Sequence, residues 1–178
     1  TALTLNKNYK WKVLAKYPLG NSPYSAFRSF KSLPGFNSQF NGKSKGWLKR
    51  PGGIWKVSSA NYYTNGVANA WSSASYNKVF KNFTYQARLK RIDTGGAFDG
   101  KWASGLVVRG TPTFDPSNEW DTTYKFLYTN KGTFSVWKVV HGVVTYPRPW
   151  SPTSAIVADG WNTLKVTVDG SLIRFYIN

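Results

Sequence analysis

One glutamate, one histidine, no cysteine and nine tryptophans limit the chemistry open to this sequence of 178 residues. Acid–base cleavage of a glycosidic bond needs two carboxyl groups facing the same bond. Glu119 is the sole Glu, so any such pair must borrow an Asp. Glu119 and Asp121 lie two apart, could share a strand face, and have Asp115 nearby; a charged loop around Pro116-Ser117-Asn118 is the competing reading. His141 precedes Gly142 in a turn-like stretch, and no activated Ser lies beside it for a Ser-His-Asp relay. With one His and no Cys, tetrahedral zinc is close to excluded. Calcium takes several oxygen ligands, and the acids gather at Asp93 and Asp99 and again at Asp115, Asn118, Glu119 and Asp121. The second group is the candidate calcium site, against the alternative that these acids pair with the many Lys and Arg. No EF-hand spacing accompanies it. The chemistry favours binding over catalysis.

A binding face for sugars needs exposed aromatic planes with a few polar groups. Trp71, Trp102, Trp120 and Trp150 stand among Ser, Asn, Gly and Pro and are the candidate ligand-binding rings, whereas Trp55, Trp137 and Trp161 sit in or open strands. The net charge of +17 is uneven: residues 1–92 carry sixteen Lys/Arg and no acid, and residues 93–178 carry eight Lys/Arg against seven acids. This asymmetry points to a polyanionic partner, with Lys10, Lys12, Lys43, Lys45, Lys49 and Arg50 as candidate contacts, or to a solvated basic face. Nucleic acid is the less favoured polyanion. The interleaved Tyr9-Lys10-Trp11-Lys12 suits it, but no RNA-recognition, KH or zinc motif is present.

Strands must position these residues. Tyr9, Trp11, Val13, Ala15 and Tyr17 alternate with Lys10, Lys12 and Lys16, which predicts a half-buried strand. Residues 18–45 read as a long irregular connector, packed on the domain through Phe27, Phe30, Phe36 and Phe40. From Gly46 onward strands follow regularly: 52–58, 61–67, 83–91, 105–109, 123–129, 133–140, 143–146 and a closing pair about Asp169-Gly170. Asn130-Lys131-Gly132 and His141-Gly142 supply further hairpin turns. No helical periodicity exceeds two turns, and no apolar run approaches the roughly 18 residues of a membrane helix. The absence of Met at position 1 is read as a processed or engineered start, with any targeting peptide removed.

Residues 82–91, 104–109, 132–138 and above all Gly160-Trp-Asn-Thr-Leu-Lys-Val-Thr-Val-Asp-Gly-Ser-Leu-Ile-Arg-Phe-Tyr-Ile-Asn178 resemble the concanavalin A-like lectin/glucanase superfamily, in its laminin-G-like jelly rolls. The resemblance covers about 46–178. It implies an antiparallel β-sandwich of jelly-roll type, and a ligand anywhere among carbohydrate and adhesion partners. Glycosidases of that superfamily use two Glu flanking an Asp on one strand, a motif this chain does not contain. Similar domains continue past a Phe-Tyr-Ile-Asn stretch, so the strand at 9–17 is expected to fill the open edge, in its own chain or a neighbour's, through Tyr9, Trp11 and Val13.

These readings converge on an all-β protein with an N-terminal strand and connector (1–45) and a β-sandwich domain (46–178). The expected role is a secreted, non-enzymatic module binding carbohydrate or an acidic surface polymer. The alternative is a structural subunit of an extracellular filament or surface assembly, joined by N-terminal strand complementation. No cofactor is expected beyond the possible calcium, and no membrane insertion.

Overall fold

The computed structural model describes residues 7–18, 20–31, 35–50, 54–66, 71–92, 102–111 and 120–178, and these contain strands and turns but no helix. The first strands form a two-stranded ribbon. β1 (Asn8–Trp11) pairs antiparallel with β4 (Arg28–Lys31), and β2 (Lys16–Tyr17) pairs with β3 (Gly20–Asn21) toward the tip. Between them two serine hydroxyls stand in for missing ladder carbonyls. Val13 N donates to Ser25 Oγ at 3.0 Å, and Ala15 N donates to Ser22 Oγ at 2.9 Å. Tyr9 stacks on its cross-strand partner Phe30 with ring centroids 5.5 Å apart, and Lys12 Nζ lies 3.6 Å over the Tyr24 ring.

This ribbon corrects two expectations. Residues 18–45 hold two strands that fold back on the first, so they are not wholly an irregular connector. The first strand is indeed hydrogen-bonded, with a partner in its own chain, but Trp11 and Val13 are 45% and 56% exposed. The reason is geometric: among the described elements β1 and β4 are in substantial contact only with each other, so no second sheet lies over the ribbon's rings. Phe27 and Phe30 are exposed for the same cause, while Phe36 and Phe40 do pack inward, stacked on Tyr76 and Tyr62.

β5 (Trp47–Lys49) pairs with β8 (Ala74–Tyr76), and β6 (Trp55–Ser58) with β7 (Asn61–Thr64). Rings substitute for aliphatic bulk here. Trp47, Tyr62, Tyr76, Phe36 and Phe40 meet one another at 3.6–6.1 Å, an arrangement stabilised by offset and edge-to-face contact. Trp47 Nε1 donates to Ser38 Oγ at 2.8 Å, which satisfies its polar edge.

The sandwich follows. β9 (Phe83–Lys90) alternates half-buried and exposed residues along its full length, as its period-2 sequence requires. β10 (Ser104–Val108), β11 (Thr123–Tyr128), β12 (Thr133–Val140) and β13 (Val143–Pro152) form one antiparallel sheet in chain order. β14 (Trp161–Asp169) lies between β15 (Leu172–Ile177) and β9 in the other. Leu106, Val108, Phe126, Tyr128 and Val136 from the first sheet meet Leu164, Val166 and Val168 from the second. The hairpins fall where Gly allows them: Gly132 at φ +73°, the His141-Gly142 pair at +48° and +75°, and Gly170 at +55°. The Trp161-Asn162 pair that opens β14 has a structural reason. Asn162 is fully buried; its Oδ1 accepts from Val157 N at 2.8 Å and its Nδ2 donates to Val157 O at 2.9 Å.

Tyr85 stands across from Val166 and packs against this core. Burial pushes its hydroxyl up to about 12. A group raised in the folded state favours folding below its unfolded value near 10, and that contribution is lost as pH rises from 10 through 12. Denaturant titrations between pH 9 and 12 should show stability falling across this window, with a shallower fall in Tyr85→Phe.

Candidate functional site

β11 is buried on both faces. Phe126 and Tyr128 face the sandwich core, while Thr123, Lys125 and Leu127 point outward yet are at most 2% exposed. A cover must therefore lie over the outward face, and at Lys125 that cover is aromatic. Its Nζ sits 4.3 Å from the Trp71 ring and 5.7 Å from that of Trp137, its cross-strand neighbour on β12. Ring quadrupoles attract a cation placed over their faces, which offsets part of the cost of taking the ammonium out of water.

Trp137 is the hub of the cluster. It meets Trp71 at 6.0 Å, Tyr146 at 5.4 Å and Trp150 at 6.3 Å, all within 10° of perpendicular. Its Nε1 donates to Ser135 Oγ at 3.0 Å, and Ser135 Oγ in turn donates to Arg148 O at 2.8 Å, so both strands fix the indole. Register shifts in the β12–β13 pairing, between Phe134 and Val136 and between Val136 and Lys138, bend β13 at this point. Tyr146 and Trp150 stay 52% and 40% exposed. The result is a surface of rings, anchored from beneath by Trp137 and Lys125 and open to water at Tyr146 and Trp150.

Trp71 reaches the platform from the earlier half of the chain. Ser72 Oγ and Thr64 Oγ1 lie 3.1 Å apart, Arg50 N donates to Ser73 O at 3.0 Å, and Arg50 Nε donates to Ser75 Oγ at 2.8 Å. Arg50 also lies 5.4 Å over Trp120. Of the four expected ring residues, Trp71 and Trp150 are thus joined through Trp137. Trp102 is 37% exposed at the entrance to β10. Trp120 corrects the expectation: it is only 5% exposed, between Arg50 and Gly110, where even a Cβ would come within 2.6 Å of its ring. Trp137, Tyr146 and Lys125 complete the cluster without standing out as ligand-binding residues in the sequence. A Lys inside the apolar run Tyr124-Lys-Phe-Leu-Tyr128 was the available signal that this face is covered.

The basic candidates fall on separate elements. Lys10 and Lys12 are on the ribbon, Lys43, Lys45 and Lys49 are exposed before and within β5, and Arg50 is half-buried in the interactions above. Asp115, Asn118 and Glu119 lie outside the described residues, as do Asp93 and Asp99. Asp121 is described: its Oδ2 is 3.2 Å from His141 Nδ1 and accepts from Thr122 Oγ1 at 3.1 Å, which ties the β12–β13 turn to the start of β11. Among the described residues no group of three or more His, Cys, Asp or Glu is placed to hold a metal ion.

Lys125→Ala should lower stability by about 2–4 kcal/mol, because it removes the cation–ring contact and leaves a cavity beneath Trp71. Trp150→Ala, at the open rim, should cost under about 1 kcal/mol. Urea unfolding followed by tryptophan fluorescence measures both.

No protein-family model and no curated protein matches this chain. Among solved structures it is similar to the carbohydrate binding module CBM66 from Bacillus subtilis, at 18% identity and a TM-score of 0.54 over 74% of this chain and 73% of that one. At that level of identity the likeness concerns the fold: the chain is an antiparallel β-sandwich of the kind on which that module is built.

Proposed function

We propose that this protein is a non-enzymatic carbohydrate-binding module acting outside the cell, with a concanavalin A-like jelly roll as its sandwich and the Trp71–Trp137–Tyr146–Trp150 surface as its sugar platform. The observation that carries the reading is that two rings, Tyr146 and Trp150, are held by Trp137 while about half of each stays in water. Sugar rings present C–H faces that pack on aromatic planes, and a platform fixed before the ligand arrives binds at lower entropic cost. The similarity of the fold to a carbohydrate binding module agrees with this role. A microarray of neutral glycans should find ligands for the full chain. Tyr146→Ala and Trp150→Ala should each weaken the best of them by about tenfold, equivalent to roughly 1.4 kcal/mol. Unchanged binding in both variants would remove the platform from consideration.

A second reading, as a subunit of an extracellular assembly, is favoured by the ribbon. Trp11, Val13, Tyr17, Tyr24, Phe27 and Phe30 are each at least 43% exposed on one short two-stranded element, a density of apolar surface that points to a partner. With β1 paired in its own chain, the contact would join ribbon faces rather than donate the Tyr9-Trp11-Val13 strand. Light scattering over a dilution series should then show association that Trp11→Ser/Phe27→Ser abolishes. A concentration-independent monomer would contradict this reading.

A further inference from the structure

The outward face of the three-stranded sheet has chemistry unlike that of the platform. Its register sets Lys90 beside Trp161, Arg88 beside Thr163, Gln86 beside Lys165 and Tyr176, and Thr84 beside Thr167 and Arg174. Each of these four successive rows holds one cation. The cation moves across the sheet as the rows descend, from Lys90 and Arg88 on β9 to Lys165 on β14 and Arg174 on β15. Rows lie about 7 Å apart and neighbouring strands about 4.8 Å apart. The four charges therefore form a diagonal stripe on the order of 20 Å long, in steps of roughly 7–8 Å.

No Asp or Glu occupies these rows. Asp169, one row farther along, accepts from Asn82 Nδ2 at 3.1 Å. Two of the cations are propped on rings: the Arg88 guanidinium lies 5.0 Å over Trp161, and Lys165 Nζ lies 4.4 Å over Tyr176. Thr84, Gln86, Thr163 and Thr167 fill the positions between them with uncharged hydrogen-bonding groups. Like charges arrayed on one face without acids between them repel, and an anionic chain laid along the stripe relieves that repulsion.

We infer that this stripe is a binding track for an extended acidic polysaccharide bearing uronate or sulfate groups, at a site separate from the platform. Two features favour a polysaccharide over nucleic acid. Arg88 and Lys165 lie over Trp161 and Tyr176, so a cation already occupies one face of each ring that base stacking would use. The intervening Thr and Gln groups match a chain rich in hydroxyls. The site does not depend on the platform reading, since it shares no residue with it.

The test titrates the full chain with heparin (sulfate groups) and polygalacturonate (uronate groups), with neutral dextran as the uncharged control and oligothymidylate as the nucleic-acid competitor. Arg88→Gln/Lys165→Gln should weaken binding to at least one acidic polysaccharide by about tenfold or more and flatten its salt dependence by nearly one power per cation removed. Lys90→Gln/Arg174→Gln should do the same, so a folding defect peculiar to Lys165 cannot decide the result. Lys10→Gln/Lys12→Gln removes equal charge from the ribbon and should cost under about threefold. Three results would overturn the inference: equal losses in stripe and ribbon variants, failure to bind either acidic polysaccharide, or oligothymidylate outcompeting both at equal charge concentration.

Discussion

β11 has no face turned to solvent, and much of the arrangement around it follows from that constraint. A strand at the centre of a sandwich is ordinarily buried on its inner face and wet on the other. Here Thr123, Lys125 and Leu127 on the outward side are as inaccessible as Phe126 and Tyr128 on the inward side. The cover over Lys125 comes from Trp137 on the next strand and from Trp71 in the stretch leading into β8. A buried ammonium tolerates few surroundings, and facing rings are among them. The segment carrying Trp71 is thereby held against the sandwich, and Trp137 is fixed where Tyr146 and Trp150 can lean on it. The site and the packing of the two halves of the chain are one structure.

Much of the sandwich is legible in the sequence because its inner faces obey a simple period. Phe83, Tyr85, Ala87 and Leu89 alternate as written, and Leu164, Val166 and Val168 oppose Ile173, Phe175 and Ile177 across a Gly-bearing turn. The platform is only half legible. Trp71 and Trp150 stand out among polar neighbours. Trp137 reads as a core strand residue, although its parity with Ser135 and Val139, opposite to that of Val136, puts it on the outward face. Trp120 fails in the opposite sense, since its polar neighbours suggest exposure while Arg50, 70 residues away in the chain, lies over it. Whether a ring is covered depends on long-range packing, which local composition does not encode. The ribbon shows the same limit: alternation foretells the strand at β1 but not whether anything lies on its faces.

The two sheets present opposite chemistries to solvent. The four-stranded sheet offers rings set on a buried cation, suited to uncharged sugar faces. The three-stranded sheet offers cations standing beside rings, suited to acidic groups. The same cation–π contact recurs on both sheets, with a buried ammonium on the first and more accessible cations on the second. A body of this kind could engage two different polymers, or two stretches of one, while the ribbon extends a third surface that is basic and apolar together. The excess of Lys and Arg in residues 1–92 is then spread over the ribbon, the approach to β5 and β9 rather than gathered at one site.

The central claim is that the rings around Trp137 form the ligand surface, and the nine indole N–H groups report on it directly. In 15N-resolved NMR spectra of the full chain, titration with a panel of neutral oligosaccharides should shift the Trp71, Trp137 and Trp150 indole signals together. Those of Trp47 and Trp55, in the aromatic packing of the earlier strands, should stay in place. Shifts confined to Trp102 or Trp161, with the Trp137 cluster silent, would contradict the account.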